Sequence, residues 1–190
     1  DGTRVHYAGP AVGGPYLTID RPSTGRRDLA ALVEAQVMSD GIASFLRLAL
    51  QAGRAVVVAS NDIDGRLELM GALADAAGDK RIVAVDGGGR FGDHHVSLSA
   101  GAGANASEVV RQALKMRPDR LFVADCHGPE TFLALTALAG SVEGGAVGVT
   151  AESPDDAMIR IMRQAGTAVS VGDDQIDALG AHLIHHFLHA

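Results

Sequence analysis

The stretch that decides the fold is Val56-Val57-Val58-Ala59-Ser60-Asn61-Asp62-Ile63-Asp64-Gly65-Arg66-Leu67. It starts as a run of β-branched residues, which favours a buried strand, and then passes through a polar turn. Leu69, Met70 and Leu73 follow at helical spacing. The same alternation continues, with strands predicted at 81–85, 96–98, 121–124 and 146–149, and helices at 67–77, 108–115, 129–138 and 154–165. Valine-rich strands that alternate with helices predict an α/β fold with a mostly parallel sheet covered by helices.

The segment before this stretch has a different pattern. Two β-type runs at 4–7 and 16–19 are separated by a turn rich in Gly and Pro, and 22–25 reads as a linker. A helical pattern begins at Leu29 and extends to Leu50. Two units are therefore predicted, residues 1–24 and residues 25–190.

The turn at 60–67 stands where a phosphate-binding loop of the form G-x-x-x-x-G-K-[ST] would stand between a strand and a helix. In that register the first Gly is Ser60, the Lys is Arg66 and the hydroxyl residue is Leu67. Asp62 and Asp64 add negative charge where phosphates would sit, and each close pair of like charges costs about 4 kcal/mol near a protein surface. The candidate loop, all of it degenerate, comprises Ser60, Asn61, Asp62, Ile63, Asp64, Gly65, Arg66 and Leu67.

A helix N-terminus attracts negative charge, so the two aspartates also suit this place. The hypothesis is that Asp62 or Asp64 occupies the anion site itself and stands in for a phosphate. Asp86 and Asp125 follow other predicted strands and lie where catalytic acids occur in such sheets.

The composition of the chain limits the classes of function that it can have. The chain has 190 residues, 47% of them hydrophobic, with a formal net charge of −7. Aromatic residues make up 4% and there is no Trp, which argues against nucleic acid as a partner. Cys126 is the single cysteine, so no internal disulfide is expected. The chain does not begin with Met and is expected to be a piece of a longer protein.

Four local patterns carry a resemblance to a known family. Residues 1–5, DGTRV, look like that family's DGSRV, and 17–21, LTIDR, look like its LTIRR. Residues 113–121, ALKMRPDRL, are similar to ALRMRPDRI, and 153–157, SPDDA, are similar to SPRDA. The chain resembles the ATPases of the type II/type IV secretion and pilus superfamily, with the Tad/Flp pilus assembly (CpaF) ATPases as the nearest branch.

The resemblance implies a RecA-like P-loop NTPase core at 25–190, preceded at 1–24 by the last strands of an N-terminal domain and a linker. Active members of the superfamily form hexamers that hydrolyse ATP to drive pilus assembly or secretion. Carried over by position, the Walker A Lys falls on Arg66, the catalytic Glu on Asp86, the Walker B Glu on Asp125 and a conserved His on Thr150. The first Arg of LTIRR becomes Asp20. The catalytic positions Asp86, Asp125 and Thr150 are therefore interpreted as vestigial.

Three functions stay open at this level. The first is an inactive homologue, a pseudo-ATPase with no cofactor, that serves as a structural or regulatory part of a bacterial secretion or pilus machine. Its expected partners are proteins of that machine, an active ATPase paralogue among them, at the cytoplasmic face of an inner-membrane platform. The second is a divergent active ATPase that uses ATP and Mg²⁺, and the third is a binding module that senses another ligand in the same cleft. Oligomeric state is left open.

Two groups of histidines are candidate metal ligands, and no metal site is predicted at either. His94 and His95, next to Asp93, are interpreted as part of an exposed loop. A second group lies near the C-terminus, at His182, His185, His186 and His189. Cys126 is interpreted as a partly buried, inert thiol.

Overall fold

A computed structural model describes residues 4–9, 13–20, 27–85, 91–92, 94–100 and 104–168. The elements in chain order are β1 (Arg4–Ala8), β2 (Tyr16–Asp20), α1 (Leu29–Glu34), α2 (Asp40–Gln51), β3 (Ala55–Ala59), α3 (Ile63–Ala76), β4 (Ile82–Val85), β5 (Val96–Leu98), α4 (Ala106–Lys115), β6 (Arg120–Val123), α5 (Glu130–Gly140), β7 (Gly145–Val149) and α6 (Pro154–Ala165).

The central sheet has five strands in the order β3-β7-β6-β4-β5, and all of its pairs are parallel. This confirms the predicted α/β fold. The order places β7 between β3 and β6, although β7 comes last in sequence. Consequently, the loops that follow β3, β7 and β6 open next to one another at one edge of the sheet.

The first two strands form a separate antiparallel ladder, with Arg4 opposite Asp20 and Ala8 opposite Tyr16. Their existence was predicted from the two β-type runs. The proposed boundary between residues 24 and 25 lies in 21–26, outside the described residues, so the division into two units stays a prediction.

Hydrophobic residues at alternating positions along each strand face opposite sides of the sheet. On one face, Ala84, Phe122 and Ala146 pack with α1, α2 and α3. On the other, Val83, Leu121 and Val147 pack with α4, α5 and α6. Because both faces are covered, strand residues are buried throughout β4, β6 and β7.

Two element boundaries differ from the predicted ones. The helical pattern from 29 to 50 is broken into α1 and α2 around Gln36, which has a positive φ of 58°. The second helix begins at Asp40 because the Ser39 side chain accepts a hydrogen bond from the Ile42 amide, at 3.3 Å.

The other difference concerns α3, which begins at Ile63 rather than at Leu67. Asp62 is its N-cap and accepts from the Asp64 amide, so the helix takes in residues that were predicted to form the loop. The caps predicted for later helices are confirmed: Asn105 accepts from the Glu108 amide at 2.9 Å, and Ser153 accepts from the Asp156 amide at 3.1 Å. Among the described residues, no helix combines the length and apolar character that a membrane crossing requires.

Strand β7 approaches its neighbours so closely that side chains are excluded at two positions. A Cβ placed on Gly145, whose φ is +145°, would overlap the Leu121 carbonyl oxygen. A Cβ on Gly148 would overlap the Ala124 carbonyl oxygen and lie 3.0 Å from the Met70 sulfur. The glycines thus allow the close packing of β7 between β3 and β6.

Replacing Gly148 should therefore be costly. We expect Gly148→Ala to lower the free energy of unfolding by about 3 kcal/mol, because backbone and core must both shift to admit the methyl group. Urea denaturation measures the change. Gly140→Ala is the matched control, since a Cβ at Gly140 meets nothing within 4 Å and alanine favours a helix. Equal stability of Gly148→Ala and the parent chain would contradict the packing described for β7.

Candidate functional site

The site lies where β3, β7 and β6 end side by side. Ser60 follows β3, Thr150 follows β7, and Asp125 comes two residues after β6. Backbone hydrogen bonds continue past the strands, from the Ser60 amide to the Val149 carbonyl at 3.2 Å. These strand ends are therefore held side by side in fixed register.

Arg66 joins all three strand ends. It lies in the first turn of α3, and its side chain is fully buried, with 0% of its surface exposed. Its Nη2 donates to Asp125 Oδ1 at 2.7 Å. Its Nη1 donates to Thr150 Oγ1 at 3.0 Å and to the Ser60 carbonyl oxygen at 3.1 Å.

The charge of this guanidinium is compensated within the chain. A buried cation is stable only where a partner charge and hydrogen bonds replace water, and Asp125 supplies the charge. Arg66 Nε is buried and has no hydrogen-bond partner among the described residues. Asp125 keeps 39% of its side chain exposed, so it stays partly hydrated while it binds Arg66.

The N-terminus of α3 carries a carboxylate of its own. Asp62 Oδ1 accepts from the Asp64 amide at 3.1 Å, and the Asp62 amide donates to Ser60 Oγ at 3.0 Å. Asp62 Oδ2 lies 2.6 Å from the place that a Cβ on Gly65 would take. The carboxylate thus lies over the first turn of the helix, where the helix dipole favours an anion.

This geometry leaves few groups for a nucleotide phosphate. The Arg66 amide donates to the Asp62 carbonyl, as in an ordinary helix, and is not turned toward a ligand. Leu67 is 6% exposed, belongs to the hydrophobic core and has no hydroxyl with which to hold Mg²⁺. The residues present at these positions do not fit Mg-ATP.

A buried carboxylate, Glu130, lies beside the site, in the turn after β6. Glu130 Oε1 accepts from the His127 amide at 2.8 Å and from the Gly128 amide at 2.7 Å. This fixes the turn that carries Asp125 and Cys126. Burial, followed by the nearby Glu130 charge, raises the pKa of the Cys126 thiol to about 12.

The structure places the residues singled out in the sequence as follows. Of the candidate loop, only residues 60–62 lie outside the helix, and Asn61 and Ile63 are exposed. The helix predicted from Leu67 starts four residues earlier, at Ile63, because Asp62 caps it there. Asp86 lies outside the described residues.

The interpretation of His94 and His95 as an exposed loop is half wrong. His94 keeps 64% of its side chain exposed, but His95 keeps only 4%. His95 Nε2 lies 3.3 Å from Asp75 Oδ1, on α3. Asp93 and the C-terminal histidines lie outside the described residues.

Sequence reasoning missed how the vestigial positions combine. Arg66, Asp125 and Thr150 were treated as separate losses, whereas the structure brings them into one hydrogen-bonded group. The available signal was that a basic residue and an acidic residue remained at two of the motif positions, Arg66 and Asp125. Glu130 and Asp75 gave no signal of this kind.

Substitution of Arg66 tests whether its contacts stabilise the fold. Arg66→Met keeps much of the volume but removes the charge and three hydrogen bonds, so we expect the free energy of unfolding to fall by about 2 kcal/mol. A fully buried pair would lose about 3–5 kcal/mol, but Asp125 can regain water. Chemical denaturation measures the loss.

The control is Arg160→Ala, which breaks an exposed pair on α6 in which Arg160 Nε lies 2.8 Å from Asp156 Oδ2. Exposed pairs contribute little, so its unfolding curve should stay close to that of the parent. If the two variants behave alike, Arg66 does not hold the strand ends together.

Chemical labelling of Cys126 tests whether its thiol is buried. With a pKa of about 12, only about one thiol in ten thousand is ionised at pH 8, and the side chain is also covered. A thiol-reactive disulfide reagent should leave the folded chain unlabelled and label it fully in denaturing urea. Ser99→Cys places a second thiol at an exposed position and should react at once. Fast labelling of Cys126 in the folded parent would refute the burial described here.

Comparison with known proteins agrees with the fold. No family model matches the chain. It is 32% identical over 156 residues to a protein named for conjugal transfer in Mycobacterium tuberculosis, covering 76% of this chain and 44% of that protein. It is 36% identical over 129 residues to the type IV secretion system protein PtlH of Bordetella pertussis, covering 62% and 38%.

Among solved structures, the VirB11 ATPase of the Brucella suis type IV secretion system aligns with a TM-score of 0.60 at 22% identity, covering 88% of this chain and 60% of that one. This likeness concerns the fold. The chain spans less than half the length of the curated relatives it matches. The chain is thus related in sequence to type IV secretion and conjugal transfer proteins, and it shares the α/β fold of the VirB11 ATPase structure.

Proposed function

We propose that this chain is a non-hydrolysing member of the secretion ATPase superfamily, a pseudo-ATPase that serves a secretion or pilus machine as a structural or regulatory part. The placement in the Tad/Flp branch, made from the local patterns, is part of the proposal. So are its location in the bacterial cytoplasm at an inner-membrane platform, and partners among the proteins of that machine, including an active ATPase paralogue.

The observation that carries the proposal is the engagement of Arg66. Phosphoryl transfer requires cationic groups that are free to stabilise charge on the phosphates. Here the one cation at the Walker A position is bound to Asp125 at 2.7 Å and to Thr150 at 3.0 Å. By resemblance to the superfamily, Asp125 and Thr150 occupy positions of catalytic residues. The three side chains therefore bind one another instead of a substrate.

The Asp62 carboxylate gives independent support. It accepts from a backbone amide at the start of α3, which is the kind of group that phosphate oxygens use at helix N-termini. A nucleotide would have to displace this carboxylate and also approach Asp64. At about 4 kcal/mol for each close pair of like charges, the affinity would fall by orders of magnitude.

The deciding measurement is an ATP titration by calorimetry, with Mg²⁺ and with a chelator. We expect no binding at ATP concentrations up to about 1 mM, where a favourable free energy of about 4 kcal/mol would already be visible. A micromolar dissociation constant would overturn the proposal and favour the divergent active enzyme.

A matched pair of variants tests the role of Asp62. Asp62→Gly and Asp64→Asn each remove one negative charge near α3, but only the first removes the carboxylate that caps the helix. Glycine is itself a fair N-cap, so the fold should tolerate the first change. If Asp62 holds the anion position, affinity for inorganic phosphate should appear in Asp62→Gly and not in Asp64→Asn. Equal behaviour of the two would point to net charge alone.

A further inference from the structure

Three side chains capable of binding a metal converge away from the Arg66 site. Asp75 lies near the end of α3, and His94 and His95 come just before β5. Asp75 Oδ1 lies 3.3 Å from His95 Nε2 and 3.7 Å from His94 Nε2. One ligand atom from each residue lies within 4.8 Å of the other two.

The local backbone makes two neighbouring histidines face the same way. The His95 amide donates to the Gly92 carbonyl at 2.8 Å, which closes a turn just ahead of the strand. The two imidazole rings then lie with their centroids 3.8 Å apart and an interplanar angle of 53°. Side chains of adjacent residues in an extended segment would point to opposite sides, so the turn is what brings both Nε2 atoms to Asp75.

The separations suit a tetrahedral cation. Zinc binds imidazole nitrogen and carboxylate oxygen at about 2.0–2.1 Å, so two ligand atoms on adjacent corners of the tetrahedron lie about 3.3–3.4 Å apart. The two measured separations, 3.3 and 3.7 Å, lie close to that edge length. Both are longer than the usual 2.9 Å of a nitrogen–oxygen hydrogen bond.

The surroundings suit an exchangeable ion with one open position. His95 is 4% exposed and Asp75 22%, so two ligands are held within the protein, while His94 is 64% exposed and leaves access from solvent. Two imidazoles and one carboxylate leave the fourth position for water, as in open zinc sites. A single carboxylate with neutral imidazoles also balances part of the charge of a divalent cation.

We propose that Asp75, His94 and His95 bind a divalent transition-metal ion of the zinc type. The ion ties the turn before β5 to α3. Strand β5 has only three residues and pairs with β4 alone among the described strands, so few backbone hydrogen bonds hold it. A bond from His95, next to its first residue, to the long helix behind the sheet fixes this edge. This site is independent of the proposed function.

The test must separate this site from other histidines. The 190-residue chain carrying His182→Gln, His185→Gln, His186→Gln and His189→Gln serves as the background, since the C-terminal histidines could bind zinc by themselves. Zinc chloride is titrated into it by calorimetry. The expected result is one ion per chain. In this background, His94→Gln and Asp75→Asn should each weaken binding at least about tenfold, because each removes a direct ligand.

His127→Gln is the matched control. The substitution removes another exposed histidine near carboxylates. His127 Nδ1 lies 3.5 Å from Asp125 Oδ2, and His127 is outside the proposed site. Its zinc affinity should equal that of the background. Cobalt(II) supplies a second readout, because four-coordinate cobalt absorbs strongly in the visible range, and this absorption should vanish in Asp75→Asn.

Folding is checked by thermal melting without metal. His94 is mostly exposed, so His94→Gln should melt like the background, which keeps its result interpretable. Zinc should raise the melting temperature of the background and fail to raise that of His94→Gln. The proposal is overturned if zinc binding disappears with the C-terminal histidines. It is equally overturned if His94→Gln and Asp75→Asn bind zinc as tightly as the background.

Discussion

The interaction on which the site depends is the burial of one guanidinium among three strand ends. Arg66 comes from a helix, while its partners follow β3, β6 and β7, so a single side chain connects these three strand ends. A planar guanidinium can do this because its donors diverge in fixed directions. A lysine ammonium is a compact charge on a flexible stem and matches this planar, divergent set of acceptors less well. The arrangement therefore follows from the choice of arginine at this position.

The sheet provides the conditions for that contact. Strand β7 can lie between β3 and β6 only because Gly145 and Gly148 leave room for neighbouring carbonyl groups. The hydrophobic faces on either side then hold the sheet rigid enough for a buried hydrogen-bond network to keep its geometry. The packing in the middle of the sheet thus supports the hydrogen bonds at its edge.

Much of the fold could be predicted from local pattern. Valine-rich runs separated by helical periodicity identified the parallel sheet, and Asn105 and Ser153 identified two helix starts. The start of α3 was predicted four residues late, because Asp64 and Gly65 have poor helix propensity and the cap residue Asp62 was assigned to the loop. The contacts of Arg66 depend on a strand order in which the last strand is inserted between earlier ones. No local pattern in the sequence carries that information. Asp86 lies outside the described residues, so its role stays a prediction.

Gly65 has a structural role that does not depend on a nucleotide. In a phosphate-binding loop this glycine lets the backbone approach the ligand closely. Here the closest group is the chain's own carboxylate, since Asp62 Oδ2 lies 2.6 Å from where a Cβ would be. A larger residue would require the Asp62 carboxylate to move, so the cap geometry by itself favours glycine here. The presence of Gly65 is therefore no evidence for nucleotide binding. A motif search that scores this glycine would score a structural requirement as a functional one.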